Sequence, residues 1–123
     1  HFSLFADSNL YVLERLFMLP NQQSVYQHII KDYINKIRNQ IPVEKAFLFG
    51  SYARGTYTSD SDIDLAIFSS HFEKMERIEG FRFLFLQAMD YGIDLQPQPF
   101  TLQDLQEPLG IVEEIIKYGI EID

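Results

Sequence analysis

The chain has 123 residues, 46% of them hydrophobic, with 11 Phe, no Trp, no Cys and a net charge of −8. That length bounds it to one domain with a core of its own. Its ten Lys and Arg residues are scattered, which excludes a long nucleic-acid partner because a polyanion needs clustered cations, and the lack of Cys suits a reducing compartment, the cytoplasm.

Residues 1–19 are apolar and aromatic, and Leu10, Leu13, Leu16 and Phe17 would share one face of a short helix. Asp7, Glu14 and Arg15 interrupt the run, which is too short and too charged to span a membrane. A start at His1 fits a processed chain or an expression remnant, and no basic stretch precedes the apolar residues as in a signal peptide. Residues 1–23 are therefore expected as an N-terminal extension closed by Pro20 and Asn21, ahead of a domain over 24–123.

Ser24 and Gln27 have the spacing of a capping box and predict a helix over 24–39. Val25, Ile29, Ile30, Tyr33, Ile34 and Ile37 form its inward face, while His28 and Lys31 lie off it. No second His or Cys stands at metal spacing from His28, so it reads as a solvated side chain. Ile41 and Pro42 break the helix, and residues 43–49 form a first strand whose continuous apolar end suggests burial on both faces.

The stretch AFLFGSYARGTYTSDSDIDLAI over 46–67 is the centre of the chain. Gly50 permits a sharp turn and close approach of a ligand, Ser51 can cap a short helix whose free N–H groups attract phosphate, and Arg54 can clamp a phosphate oxygen. In the second strand the two-residue period places Asp62, Asp64 and Ala66 on one face and Ile63, Leu65 and Ile67 on the other. Two rises of ~3.3 Å set the carboxylates about 7 Å apart along the strand.

Ser69 and Ser70 turn the chain into a helix over 72–89, with Met75, Ile78, Phe81, Phe85, Ala88 and Met89 inward and Phe83 and Leu86 outward. Gly80 weakens that helix modestly. Residues 93–96 read as a third strand carrying Asp94 and stopped by Pro97 and Pro99. Thr101 and Asp104 cap a short turn over 102–106. Pro108 opens a last helix with Val112, Ile115 and Ile116 inward and Gly119 at its end. The order of elements is αβαβαβα, an α/β chain without repeats or linkers.

Taken singly, each Asp reads equally well as a solvated turn residue or half of an ion pair. Taken together, Asp62, Asp64 and Asp94 make a hard oxygen cluster suited to Mg²⁺ and self-repelling without a cation. Paired metals activate an attacking oxygen and stabilise a leaving pyrophosphate.

Gly50-Ser51, ten intervening residues and Asp62-Ile63-Asp64 together resemble the signature of the DNA polymerase β-type nucleotidyltransferase superfamily. The fuller string GSYARG…SDSDIDLAI, with the closing EEIIKYGIEI, resembles its minimal nucleotidyltransferase (MNT) branch and leaves residues 1–23 outside the match. The resemblance implies a polymerase β palm-like α+β fold, a mixed β-sheet flanked by helices. It also implies metal-dependent transfer of a nucleoside monophosphate, AMP from ATP, to an acceptor. By position, Gly50, Ser51 and Arg54 would hold the triphosphate, Asp62 and Asp64 would bind two Mg²⁺ ions, and Asp94 would complete the second site and help deprotonate the acceptor. Asp90 stands near Asp94 as an alternative.

Small members of this branch resemble the antitoxin half of toxin–antitoxin pairs, whose partner is a helical HEPN-domain ribonuclease silenced by adenylylation of a Tyr. The resemblance thus points to a protein acceptor, with no membrane and no long nucleic acid, and is compatible with a homo-oligomer. The alternatives are a non-catalytic nucleotide-binding antitoxin acting by occlusion and a small-molecule nucleotidyltransferase of the aminoglycoside-modifying kind. Keeping like charges together favours catalysis over occlusion.

Overall fold

A computed structural model describes residues 20–54 and 62–123. The helix expected within residues 1–19, the side chains of residues 20–25 and 52, and residues 55–61 lie outside that description. The first described element, α1 (Pro20–Arg38), already contains Ser24, so Ser24 does not cap it. Pro20, expected to close a preceding helix, is instead the first residue of this one, where its missing N–H costs no hydrogen bond. As the periodicity requires, Ile30, Tyr33, Ile34 and Ile37 are buried, and His28 is exposed.

Tyr33 carries a polar group into this core. Its hydroxyl donates to the backbone carbonyl of Leu84 at 2.8 Å, and its ring meets Tyr91 edge-on at 5.9 Å. Burial raises the hydroxyl pKa, so it stays a donor. Tyr33→Phe keeps the ring and removes one buried hydrogen bond, and is expected to cost about 1 kcal/mol in chemical denaturation. An unchanged midpoint would show that the bond contributes nothing net.

Strands β1 (Lys45–Phe49), β2 (Ile63–Phe68), β3 (Leu95–Phe100) and β4 (Ile120–Glu121) form a mixed sheet in the order β3-β2-β1-β4. β1 is antiparallel to β2 and β4, and β2 is parallel to β3. The strand β4 was not anticipated, although Ile120 and Ile122 alternate with Glu121, which pairs with Lys45 at 2.8 Å. On one face Ala46, Leu48, Ile63, Leu65 and Ile67 pack under α1 and α3 (Arg77–Ala88). On the other, Phe47, Ala66, Phe68 and Phe100 pack against Val112 and Ile115 of a C-terminal helix. The central strands are thus covered on both sides, as the continuous apolar run of β1 implies.

The strand β3 corrects a second expectation, since it runs through Pro97 and Pro99 instead of stopping at them. It lies at the sheet edge, and residues of even number face β2: the Asp94 carbonyl accepts from Ile63 N–H and the Phe100 carbonyl from Ser69 N–H. Residues 97 and 99 therefore turn their backbone to the free edge, where no ladder donor is needed. The Arg77 guanidinium donates to the outward-facing carbonyl of Pro99.

The parallel connection from β2 to β3 is not one helix over 72–89. Ser69 accepts from His71 N–H to cap a 3-10 turn (Ser70–Lys74), Met75 is extended, and α3 follows. Its buried residues are Gly80, Leu84 and Ala88, four apart, whereas Ile78 and Met89 are 61% and 63% exposed, against expectation. Gly80 decides this facing: a Cβ there would meet Phe72 and Pro99 at 3.2 Å, so the helix approaches β3 along its smallest residue. Phe81 and Phe85 stack on each other at 5.4 Å, Phe83 packs against the core, and Leu86 is exposed.

The Thr101–Asp104 capping box forms as expected and opens α4 (Leu102–Gln106). The last helix, α5 (Ile111–Tyr118), begins at Ile111 after Gly110 and not at Pro108, buries Val112 and Ile115, and ends at Gly119. Among the described residues no helix is long and apolar enough to cross a membrane.

Candidate active site

The site is built at one end of the two central strands. Phe49, the last residue of β1, lies opposite Asp64 of β2. Gly50 then turns the chain with φ +75°, and a Cβ on it would lie 2.1 Å from Asp64 Oδ2. Glycine is thus required twice, for the left-handed backbone and for the room taken by the carboxylate. The next residues form α2 (Ser51–Arg54), a single turn closed by Arg54 N–H to the Gly50 carbonyl at 3.1 Å. Such a turn leaves its first backbone N–H groups without helical partners, beside the Asp64 carboxylate that Gly50 touches.

Asp62 is exposed just ahead of β2, and Asp64 is half-buried within it. Asp64 shares a face with Ala66 and Phe68, whereas Ile63, Leu65 and Ile67 enter the opposite core, as the two-residue period dictates. Burial holds the Asp64 carboxyl above the usual carboxylate range, the charge of Asp62 raises it further, and Arg54 opposes both. The two acids and Arg54 are therefore electrostatic neighbours.

Asp94 reaches the same corner by another route. Its carbonyl accepts from Ile63 N–H at 2.8 Å, and the register pairing Ile63 with Leu95 and Asp64 with Gln96 sets Asp94 beside Asp62. Asp90 is diverted, bound to Lys36 at 2.7 Å. The expected three-carboxylate cluster is only partly assembled. Among the described residues no three Asp, Glu, His or Cys side chains form a metal-holding group, because Gln96 rather than an acid lies opposite Asp64 and Asp94 stands at the mouth of the strand pair. The donor chemistry nevertheless suits a hard divalent cation, since Asp64 is destabilised by its like-charged neighbour.

A cavity of about 380 Å³ opens between α2 and α5, walled by Phe49, Gly50 and Arg54 on one side and by Glu114, Ile115 and Tyr118 on the other. A second, of about 260 Å³, lies between α3 and β3 with Phe85, Met89, Tyr91 and Asp94 in its wall. Sequence reasoning missed the α5 wall. The signal available was an exposed Tyr at the end of an otherwise core-facing helix.

Residues 30–121 match the family described as Nucleotidyltransferase domain. The chain belongs to that family. Two Methanocaldococcus jannaschii proteins resemble it, each named a putative protein adenylyltransferase. One is 48% identical over 40 residues, covering 31% of this chain and 40% of the relative; the other is 26% identical over 97 residues, covering 76% and 95%. The fold is similar to that of a putative nucleotidyltransferase from Sulfolobus solfataricus, with a TM-score of 0.55 over 83% of this chain and 81% of the other at 16% identity. The nucleotidyltransferase domain thus brings Gly50, Arg54, Asp62 and Asp64 to one corner, starts α2 at Ser51 there, and sets Asp94 at its border.

Proposed function

We propose that this nucleotidyltransferase moves AMP from ATP to a hydroxyl of a protein partner, in a metal-dependent reaction. The observation that carries the reading is the contact of Gly50 with the Asp64 carboxylate, which holds the first turn of α2 against the acidic pair. The names of the two archaeal relatives support a protein acceptor. A helical HEPN-type partner, in a toxin–antitoxin pair in the cytoplasm, fits the sequence resemblance.

Asp62 and Asp64, with Asp94 across the register, are the residues that would hold two Mg²⁺ ions, which supply charge neutralisation at the triphosphate. Gly50, Ser51 and Arg54 hold the phosphates: Ser51 and the α2 backbone by hydrogen bonds, Arg54 by charge. The acceptor oxygen forms its bond to the α-phosphorus as the bond to the bridging oxygen breaks. Pyrophosphate leaves with that electron pair. Asp94, exposed at the edge of the site, takes the proton of the acceptor hydroxyl.

The test is transfer of label from α-labelled ATP to a co-expressed partner encoded beside this chain. Labelling that requires Mg²⁺ and stops with EDTA, while the circular dichroism spectrum is unchanged, is the expected result. No transfer to any partner from any of the four NTPs would overturn the reading. Protection from the partner by an inactive variant would favour occlusion.

A further inference from the structure

The cavity between α2 and α5 shares Gly50 and Arg54 with the transfer site above, and the rest of its lining has no role in that chemistry. Gly50, which touches the Asp64 carboxylate, and Arg54, which feels its charge, both stand in the cavity wall. A volume of about 380 Å³ lies within the usual range of small-molecule sites. The other lining residues include Phe49 at the end of β1 and Ile111, Ile115 and Tyr118 along α5.

Two features say what would fill it. Ile111 and Tyr118 are 51% and 64% exposed at this opening, although the adjacent Val112 and Ile115 are buried, so α5 holds apolar surface out of the core at the rim. The lining also carries one charge of each sign. Arg54 stands on the side of the acidic pair and Glu114 on α5, and no ion pair among the described residues engages either one. The complementary ligand has a flat, apolar body, an anionic end toward Arg54 and an N–H donor toward Glu114.

We propose that this cavity is the nucleobase subsite, with the base lying against Phe49 and Tyr118 and the exocyclic amine of the base donating to Glu114. The inference rests on the use of an NTP described above and adds a preference within it. Adenine and cytosine each carry an exocyclic amine at corresponding positions that can donate to a carboxylate, whereas uracil presents a carbonyl there and guanine carries its amine at a different ring position. A carboxylate facing that carbonyl is left without its partner, and a site built on such a bond rejects the analogue that lacks it.

The experiment measures binding of ATP, GTP, CTP, UTP and inorganic tripolyphosphate to the full chain with Mg²⁺ by calorimetry. UTP is expected to bind ~10-fold or more weaker than the tightest of the other three, the scale of one lost charge-assisted hydrogen bond. Glu114→Gln, whose amide can also donate, should bring UTP to within about threefold of that nucleotide. Tyr118→Ala should weaken the amine-bearing nucleotides ~10-fold, as loss of a base–aromatic contact does, and leave tripolyphosphate unchanged. Both side chains are exposed, so neither variant threatens the fold. Equal binding of all four nucleotides, or wild-type ATP binding by Tyr118→Ala, overturns the subsite and leaves the transferase reading standing. Failure of wild type to bind any NTP or tripolyphosphate overturns that reading and the subsite with it.

Discussion

Replacing Asp62 and Asp64 together by Asn is expected to lower nucleotidyl transfer ~1,000-fold or more while the domain stays folded. Charge stabilisation of a phosphoryl transition state through metal-binding carboxylates contributes several kcal/mol, and each 1.36 kcal/mol is a factor of ten. The fold does not rely on these charges, since the pair sits on the solvent end of a face whose core residues are Ala66 and Phe68. Stability at different pH separates the two roles. The Asp64 carboxyl is raised above its ordinary value of 3.8 by burial and by Asp62, so the folded state binds this proton more tightly than the unfolded state does. That contribution is full below 3.8 and is lost as pH rises through the folded value. In metal-free buffer the Asp64→Asn variant should therefore have a Tm equal to or above that of the parent at about pH 7, with the gap closing near pH 3. A lower Tm at neutral pH would show that the ionised carboxylate makes a stabilising contact the like-charge account leaves out.

Gly50→Ala is expected to damage both stability and activity through one methyl group. The backbone at φ +75° costs an L-residue about 1–2 kcal/mol, and the added Cβ would stand 2.1 Å from Asp64 Oδ2, so the carboxylate must move. A displacement of about 1 Å in a reacting constellation can cost ~100-fold in rate. Gly110→Ala is the control, because that glycine also has positive φ, +58°, with open space where its Cβ would go. Denaturation midpoints should fall for both variants, and transfer only for Gly50→Ala. If both lose transfer equally, backbone strain and not the carboxylate contact explains the glycine.

The sequence was most informative where one local rule acted alone. Alternation in β2 put Asp64 on the face opposite Ile63, Leu65 and Ile67 because the strand has a real core on each side, and the Thr101–Asp104 box formed because capping involves only neighbours. Expectations failed where a distant element decided. The facing of α3 could not be read from a stretch in which Ile78, Phe81, Phe83, Leu84, Phe85 and Leu86 offer several apolar stripes. Close approach of Gly80 to Pro99 selects one of them. Pro97 and Pro99 read as breakers until β3 is known to be an edge strand. Ser24 had a capping pattern, but a helix already running at Pro20 leaves it nothing to cap. Within the site, the Gly50–Asp64 contact and the α5 wall join residues far apart in the chain, and no local spacing encodes them.

The prolines of β3 also bear on how this molecule meets others. A free sheet edge offers a row of donors and acceptors to any passing strand, the usual start of edge-to-edge aggregation. Here two of the outward positions have no hydrogen to give, and the carbonyl of one is already held by Arg77. The opposite edge is a strand of only two residues, Ile120 and Glu121. Among the described residues, both margins are poor templates for an extended segment from a neighbour. Among the described residues, the surface best suited to association is then made by side chains on the helices and not by the sheet edges.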